Sequence, residues 1–313
     1  MENREQLIKQ LLNEKKDLER QINDANFKGY PEIKEISGKK YVYLRYKKYD
    51  RLSSKYAGVY SEDFYNGLKD LSRSIKELKT KLRGVNTKLT KLGISIDALP
   101  PNVLLNIDYV RNNINNIIYE QAVVEGVSAT FLDTEEILEK GSSRNVSFDD
   151  TLTILNLKNA WQYVLDEDTV RQKMSFWTLS TIAGYVNDRQ VSYPDELRST
   201  PARISGSSYK PKIPNKEEIV GDLTDIINKN KGIETAIDLL VYLAKSQAFN
   251  NGNKRTALIF ANLYLIKNGL GYISVPSNLE KDYKLLLVEY YEDKNTNVKA
   301  FLRDNCYFPL HQY

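Results

Sequence analysis

Residues 246–258 have the sequence SQAFNNGNKRTAL, which joins two apolar stretches of the chain. Helical periodicity predicts that one helix ends near Gln247 and that another begins after the Asn-Asn-Gly-Asn turn. Such a turn presents free backbone N–H groups at a helix N-terminus, and Lys254 and Arg255 add positive charge. The loop therefore predicts a site for phosphate groups. The alternative interpretation is an Asn-rich turn with ordinary caps and two solvated cations.

Two further stretches are unusual in a chain that is otherwise predicted to be helical. Residues 197–211 have the sequence LRSTPARISGSSYKP and lie in a region rich in Pro, Gly and Ser that helices bound on both sides. Residues 121–126 have the sequence QAVVEG and lie at the end of a predicted helix.

All three stretches resemble signatures of the Fic/Doc (Fido) family. The family's loop has the pattern His-x-Phe-x-Asp/Glu-Gly-Asn-Gly/Lys-Arg, often with another Arg three residues later. Residues 197–211 resemble the family's flap, a β-hairpin that holds an extended target segment beside the nucleotide. Glu125-Gly126 resembles the inhibitory Ser/Thr-x-x-x-Glu-Gly/Asn motif. The three stretches follow the family's order. The matching loop residues are Phe249, Gly252, Asn253, Lys254 and Arg255.

The resemblance implies a mainly α fold, a Fic-type helical bundle with a β-hairpin flap over residues 197–211. It implies a nucleotide-binding protein related to enzymes that transfer AMP from ATP, with Mg²⁺, to a protein hydroxyl. Doc-type members transfer a phosphoryl group instead. ATP is therefore the expected cofactor, and a protein target is an expected partner. The residues expected to bind phosphate are Gly252, Asn253, Lys254 and Arg255. The residues expected to bind the target protein are Thr200, Pro201, Arg203, Ile204 and Gly206. The residues expected to inhibit the enzyme are Glu125 and Gly126.

Several positions depart from the family's pattern. Gln247 stands at the position of the catalytic His, and glutamine has no group that accepts a proton near neutral pH. Asn251 stands at the position of the acidic metal ligand, so Mg²⁺ is expected to bind weakly and no metal ligand is assigned. Leu258 replaces the later Arg, so Glu125 is expected to turn to Arg255 instead.

These departures predict that catalysis is weakened or lost. Loss of a general base typically slows a reaction by about 10²–10⁴-fold, and loss of the metal carboxylate adds to that effect. The phosphate-binding residues and the flap are retained. Two functions stay open: a nucleotide-binding transferase with altered chemistry, and a catalytically silent protein that binds nucleotide or a partner and regulates.

Composition excludes several other kinds of site. The chain of 313 residues has one cysteine, Cys306, and one histidine, His311. An internal disulfide, a Cys-based zinc site and most His-ligated metal sites are therefore excluded. No apolar run approaches the roughly 20 residues of a membrane helix, and the first ten residues lack the apolar core of a signal peptide. A cytoplasmic protein with no membrane partner is expected.

Charge and helix breakers predict two domains, residues 1–98 and residues 102–313. Residues 1–100 carry 22 Lys and Arg against 14 Asp and Glu, whereas the rest of the chain carries 23 against 27. Pro100-Pro101 breaks the chain between the two parts. The larger part, the Fic-like domain, is predicted to be almost entirely helical, with helices over residues 102–123, 134–140, 147–165, 168–187, 216–230, 233–247, 254–268, 279–292 and 297–303.

The smaller part is predicted to combine helices and strands. Apolar stripes over residues 3–25 and 62–93 predict an antiparallel coiled-coil hairpin. Between them, residues 40–46 and 54–60 alternate with the period of two that predicts strands.

The predicted strands carry an unusual mixture of side chains. From residue 39 to residue 60 there are seven basic residues, one acid and six tyrosines. Basic groups between aromatic rings suit a nucleic-acid surface, so residues 39–60 are a candidate site for that partner. The alternative interpretations are a small exposed sheet whose lysines keep it in solution, and a site for a protein partner.

Overall fold

The computed structural model describes residues 2–25, 29–48, 51–93 and 99–310. The chain divides into two compact units, Met1–Ala98 and Leu99–Tyr313. The sequence interpretations of His311 and of the Tyr49-Asp50 part of the basic stretch lie outside the described residues. Within the described ranges, no helix combines the length and the apolar character needed to cross a membrane.

Two long helices of the first unit pair in antiparallel fashion. Leu11 and Leu18 of the first helix form an apolar core with Val85 and Leu89 of the second. Arg4 Nη2 donates to the carbonyl of Leu92 at 2.8 Å, so the start of one helix lies beside the end of the other. The predicted helical hairpin is confirmed. Its helices are α1 (Glu2–Asp24) and α2 (Glu62–Lys91).

A three-stranded antiparallel sheet lies between these helices in the sequence. Its strands are β1 (Tyr30–Ile36), β2 (Lys39–Lys48) and β3 (Arg51–Val59), in that spatial order. The sequence predicted β2 and β3 and missed β1, because Pro31 and the alternating Glu and Lys residues of this strand disfavour a strand prediction. Proline is tolerated there because β1 is an edge strand.

The second unit is a helical bundle, as the resemblance implied, and two of its predicted helices are divided. The predicted helix over residues 102–123 is broken at Asn113, whose Nδ2 donates to the carbonyl of Tyr109 at 2.8 Å. The predicted helix over residues 168–187 is interrupted where Gln172 turns to an extended backbone conformation. The helices are α3 (Pro101–Asn112), α4 (Ile114–Val124), α5 (Phe131–Lys140), α6 (Phe148–Val164), α7 (Glu167–Arg171), α8 (Phe176–Val186), α9 (Lys216–Asn228), α10 (Ile233–Ser246), α11 (Asn253–Lys267), α12 (Glu280–Tyr291) and α13 (Asn297–Asn305).

Helix α11 is the centre of this bundle. It contacts α3, α6, α7, α8 and α10, and all its residues from Arg255 to Ile266 are buried. An apolar helix enclosed by neighbours has little freedom to move, so its N-terminus is a fixed point in the fold. A short two-stranded sheet, β4 (Tyr272–Ile273) with β5 (Tyr307–Phe308), covers one side of the bundle.

Candidate anion-binding site

Two residues at the ends of the loop between α10 and α11 have the left-handed backbone conformation. Gln247 ends α10 with φ 47° and ψ 49°, and Gly252 precedes α11 with φ 64°. A Cβ atom on Gly252 would lie 2.3 Å from Asn187 Oδ1 and 2.6 Å from a methyl group of Val186. Glycine is therefore required at residue 252 for both its backbone conformation and the space around it.

The side chain of Asn253 holds the loop closed. Its Oδ1 accepts a hydrogen bond from the Phe249 backbone N–H at 2.8 Å, and its Nδ2 donates to the Phe249 carbonyl at 2.8 Å. The Phe249 ring is buried and anchors the loop in the core. Because the Asn253 amide is used within the loop, this residue offers a ligand its backbone N–H and not its side chain.

The first turn of α11 presents backbone N–H groups and two cations. No side chain caps this helix, whereas Ser, Thr, Asp or Asn side chains cap the five helices from α5 to α9. Lys254 lies at the second helical position with its side chain about one-third exposed. Uncapped N–H groups and a positive helix end together favour a negatively charged ligand.

Arg255 lies deeper and is held by polar side chains. Its Nη1 donates to Gln190 Oε1 at 3.2 Å, and its Nη2 donates to Asn251 Oδ1 at 3.4 Å. Burial lowers the pKa of the Arg255 guanidinium, while the charge of Glu125 acts in the opposite direction. Gln190 was not predicted from the sequence, because only the fold brings the stretch after α8 to the start of α11.

Glu125 neutralises both cations. Its Oε1 lies 3.3 Å from Lys254 Nζ, and its Oε2 lies 3.6 Å from Arg255 Nε. The predicted turn of Glu125 towards Arg255 is therefore observed. Gln121, one turn earlier on α4, donates to the Arg255 carbonyl at 3.1 Å and accepts from Trp161 Nε1 at 2.9 Å, which fixes the end of α4 beside α11. Gly126 follows Glu125 with φ 83° and turns the chain away.

Gln247 and Asn251, at the positions of the family's base and acid, carry amides that already make hydrogen bonds within the protein. Gln247 Nε2 donates to the Ala244 carbonyl at 2.7 Å, and its Oε1 accepts from Asn253 Nδ2 at 3.3 Å. Asn251 Oδ1 accepts from the Gly252 N–H at 2.8 Å as well as from Arg255. Neither side chain can take a proton from a hydroxyl, because an amide has no group that is basic near neutral pH.

These residues do not fit a protein-bound Mg²⁺ ion. The described part of the chain holds no group of three or more His, Cys, Asp or Glu side chains that could surround a metal. Asn251 brings no charge, and its oxygen already accepts two hydrogen bonds. Phosphate groups, in contrast, fit the uncapped start of α11.

The predicted β-hairpin over residues 197–211 is wrong. No strand forms in this segment, and its backbone makes a single β-bridge, from Leu197 to Phe249 in the loop. Pro201 and Pro211 have no N–H to donate to a ladder. Two carbonyl groups of the segment, and that of Lys212 directly after it, instead accept hydrogen bonds from a buried arginine.

That arginine is Arg198, which ties both ends of the segment to the loop. Its Nε donates to the Gln247 carbonyl at 2.5 Å and its Nη1 to the Thr200 carbonyl at 2.6 Å. Its Nη2 donates to the carbonyls of Pro211 and Lys212. Sequence reasoning missed Arg198, because an arginine among Pro, Ser and Gly residues gives no sign that it is buried.

A glutamate after α12 holds the tip of the same segment. Glu292 Oε1 accepts from the Ser208 N–H at 2.6 Å and from the hydroxyls of Ser207 and Ser208 at 3.0 Å each. Its Oε2 lies 2.6 Å from Lys294 Nζ. The Lys294 ammonium and the Ser208 N–H lower the pKa of Glu292 to about 2. The segment is thus fixed without strand pairing.

A cleft of about 230 Å³ lies between the segment and the start of α11. Ala202 and Arg203 line it from the segment. Ile204 packs against the apolar core instead, while Thr200, Pro201 and Gly206 are exposed. The remaining lining residues are Glu125, Gln247, Phe249, Asn250, Asn251, Gly252, Asn253 and Lys254.

Residues 170–265 match the model of the Fic/DOC family, over a range that includes the loop and the segment 197–211. These residues form a Fic/DOC domain. A solved structure of a fragment of Fic-1 from C. elegans is 17% identical, with a TM-score of 0.50 over 72% of each chain. A single-substitution variant of that Fic-1 fragment is 16% identical, with a TM-score of 0.53 over 76% of this chain and 74% of that chain. No curated protein sequence matches the chain.

All residues that line the cleft, except Glu125, belong to the Fic/DOC domain. The motif loop and the flap, residues 197–211, both lie within the matched range, whereas Glu125 precedes it. The family predicted from the three stretches is confirmed, and the likeness to Fic-1 shows that the fold is shared.

Proposed function

We propose that this Fic-fold protein binds the phosphates of a nucleotide, in the first place ATP, at the start of α11, and that it transfers little or no AMP. One observation carries the proposal. The uncapped helix end and its two cations are retained, while amides occupy the two positions where the family has its base and its acid.

Phosphate binding is supported by charge and geometry together. Lys254 and Arg255 flank the uncapped N–H groups, and a charged hydrogen bond typically contributes about 1.5–3 kcal/mol. Glu125 now satisfies both cations, so an incoming phosphate group has to displace its carboxylate. Glu125 therefore lowers affinity for ATP without abolishing the site.

The residues that face the cleft support slow or absent transfer of AMP. A general base contributes about 10²–10⁴-fold, and Gln247 cannot act as one. Asn251 does not supply a charged ligand for Mg²⁺. Transfer of AMP to a protein hydroxyl would therefore lack both proton removal and metal assistance.

A protein partner is proposed for the exposed side of the flap. Thr200, Pro201 and Arg203 are exposed, while Arg198 and Glu292 hold the backbone around them. An exposed segment whose backbone is held in place is suited to binding another chain with little loss of conformational entropy.

Calorimetric titration with ATP, paired with a transfer assay, tests the proposal. We expect the unmodified chain to bind ATP and Arg255→Ala to weaken binding by about tenfold or more, since a charged contact is lost. Arg144→Ala removes an exposed arginine of the same unit and is the matched control. ATP labelled at the α-phosphate and at the γ-phosphate distinguishes AMP transfer from phosphoryl transfer.

Two results would contradict the proposal. Equal ATP affinity in the unmodified chain and in Arg255→Ala would exclude the start of α11 as the phosphate site. Rapid labelling of protein by the unmodified chain would show that another group acts as the base.

A further inference from the structure

The sheet of the first unit has one covered face and one open face. Val42 is fully buried on the covered face, and Gly58 lies so close to the Phe64 ring of α2 that a Cβ atom would contact it at 3.1 Å. Ser72 of α2 donates to the carbonyl of Gly29, next to β1, at 2.9 Å. Helix α2 therefore covers this face.

The open face carries a cluster of tyrosines. In the strand register Tyr43 is opposite Tyr56, and Tyr30 is opposite Arg45. The Tyr56 ring makes edge contacts with the rings of Tyr41 and Tyr43, at centroid distances of 6.1 and 5.7 Å. Tyr30 and Tyr56 are 59% and 51% exposed, so large parts of both rings face solvent.

Cations lie among these rings. Lys34 Nζ is 4.6 Å from the centre of the Tyr43 ring, and the register places Lys39 and Arg45 on the same face. The acid Glu32 also lies on this face, and it is engaged by Lys34 at 3.0 Å and by the Ser54 hydroxyl at 2.6 Å. The face is thus positively charged, as is the whole N-terminal part, with 22 Lys and Arg against 14 Asp and Glu in residues 1–100.

We infer that this open sheet face binds single-stranded nucleic acid. Lys34, Lys39 and Arg45 supply charge for the phosphates, and the exposed rings of Tyr30 and Tyr56 supply surfaces on which bases stack. These two tyrosines are on the two outer strands, roughly 10 Å apart across the sheet. One strand of nucleic acid that crosses the sheet can therefore contact both rings.

A single strand fits the face better than a duplex or a protein. Bases stack on a protein ring only when they are unstacked from their neighbours, which a duplex prevents. The centre of a protein interface is depleted in charged residues, whereas cations and phenol rings are interleaved on this face. Charge complementarity therefore favours a polyanion with exposed bases.

Fluorescence anisotropy of the full-length protein with labelled 20-nucleotide single strands of RNA and DNA tests this inference, with duplex DNA as the comparison. We expect binding at 50 mM salt that weakens steeply as salt is raised. Tyr56→Ala should weaken binding by about fivefold or more, while Tyr56→Phe, which keeps the ring, should bind as the unmodified chain does.

Two arginine substitutions distinguish binding at this face from attraction to the positive charge of the whole unit. Arg45→Ala should reduce the slope of log affinity against log salt by about 0.7. Arg83→Ala removes the same charge from the exposed surface of α2, and should change affinity much less. Thermal unfolding checks that each variant is folded, and Tyr30→Ala, at an edge strand, replaces Tyr56→Ala if the latter unfolds.

Several outcomes would overturn the inference. One is absence of binding to single strands at 50 mM salt, and another is tighter binding to duplex than to single strands. Unchanged affinity in folded Tyr56→Ala or Tyr30→Ala would also overturn it. So would an equal loss of affinity in Arg45→Ala and Arg83→Ala.

Discussion

Glu125 is the residue on which the state of the proposed phosphate site depends. Its carboxylate lies 3.3 Å from Lys254 Nζ and 3.6 Å from Arg255 Nε, and its side chain is 15% exposed. Attraction between charges so close together and so little exposed to water is stronger than on an open surface. The same two cations are the groups that a phosphate would contact, so the carboxylate and the phosphate compete.

Two substitutions test whether Gln247 and Asn251 account for the proposed loss of AMP transfer. Gln247→His with Asn251→Asp introduces a group that accepts a proton and a charged ligand for Mg²⁺. We expect the double variant to transfer labelled AMP from ATP to itself or to added protein clearly faster than the unmodified chain, which should show little transfer.

The control for this experiment carries Glu125→Gly in addition to the two changes. It separates a blocked site from an inactive one, since Glu125 can obstruct ATP even when the base is present. Transfer should be faster still in the triple variant. Absence of transfer in both variants, despite measured ATP binding, would show that more than these two positions has changed.

The flap, residues 197–211, is held in place by the side chains of Arg198 and Glu292. Arg198 donates to carbonyls at both ends, and Glu292 accepts from the tip. A hydrogen-bonded ladder is thus replaced by side-chain to backbone bonds. Such bonds depend on two residues, so the flap is sensitive to single substitutions in a way that a β-hairpin is not.

The stability of this arrangement should depend on pH through Glu292. Its pKa is lowered to about 2 in the folded chain, against about 4.3 for an ordinary glutamate. A lowered pKa means that ionised Glu292 stabilises the fold above the ordinary pKa, and that this contribution is lost as pH falls towards 2.

Thermal unfolding of the unmodified chain and of Glu292→Gln measures this contribution. The melting temperature of Glu292→Gln should be lower by a constant amount above about pH 5. The difference should shrink between about pH 5 and pH 2. A difference that is independent of pH would show that the charge of Glu292 has no part in holding the flap.

The helices of the second unit were predictable from the sequence, whereas the flap and part of the candidate site were not. Two apolar runs on either side of the Asn-Asn-Gly-Asn turn located α10 and α11, because a helix that neighbours enclose is apolar on most of its surface. The flap and the breaks at Asn113 and Gln172 were not predictable, because side-chain hydrogen bonds decide them. Gln190 and Arg198 also escaped prediction, because the contacts of Gln190 with Arg255 and of Arg198 with Gln247 join residues that are distant in the sequence.

The whole molecule combines two units with different surfaces. The candidate nucleotide site lies within Leu99–Tyr313, and the open sheet face lies within Met1–Ala98. The basic excess belongs to the first part and the acidic excess to the second. The chain therefore joins a Fic/DOC domain, with ATP as its proposed ligand, to a basic module whose proposed ligand is single-stranded nucleic acid.

We propose that the start of α11 is a phosphate site that the Glu125 carboxylate occupies. Calorimetric titration of the full chain with ATP, in the unmodified form and in Glu125→Gln, tests it most directly, with Glu139→Gln as a control that removes an exposed acid of the same unit. Glu125→Gln should bind ATP about tenfold or more tightly than the unmodified chain, because a charged competitor is lost. Equal affinity in the two forms, or no binding by either, would show that Glu125 does not occupy a phosphate site.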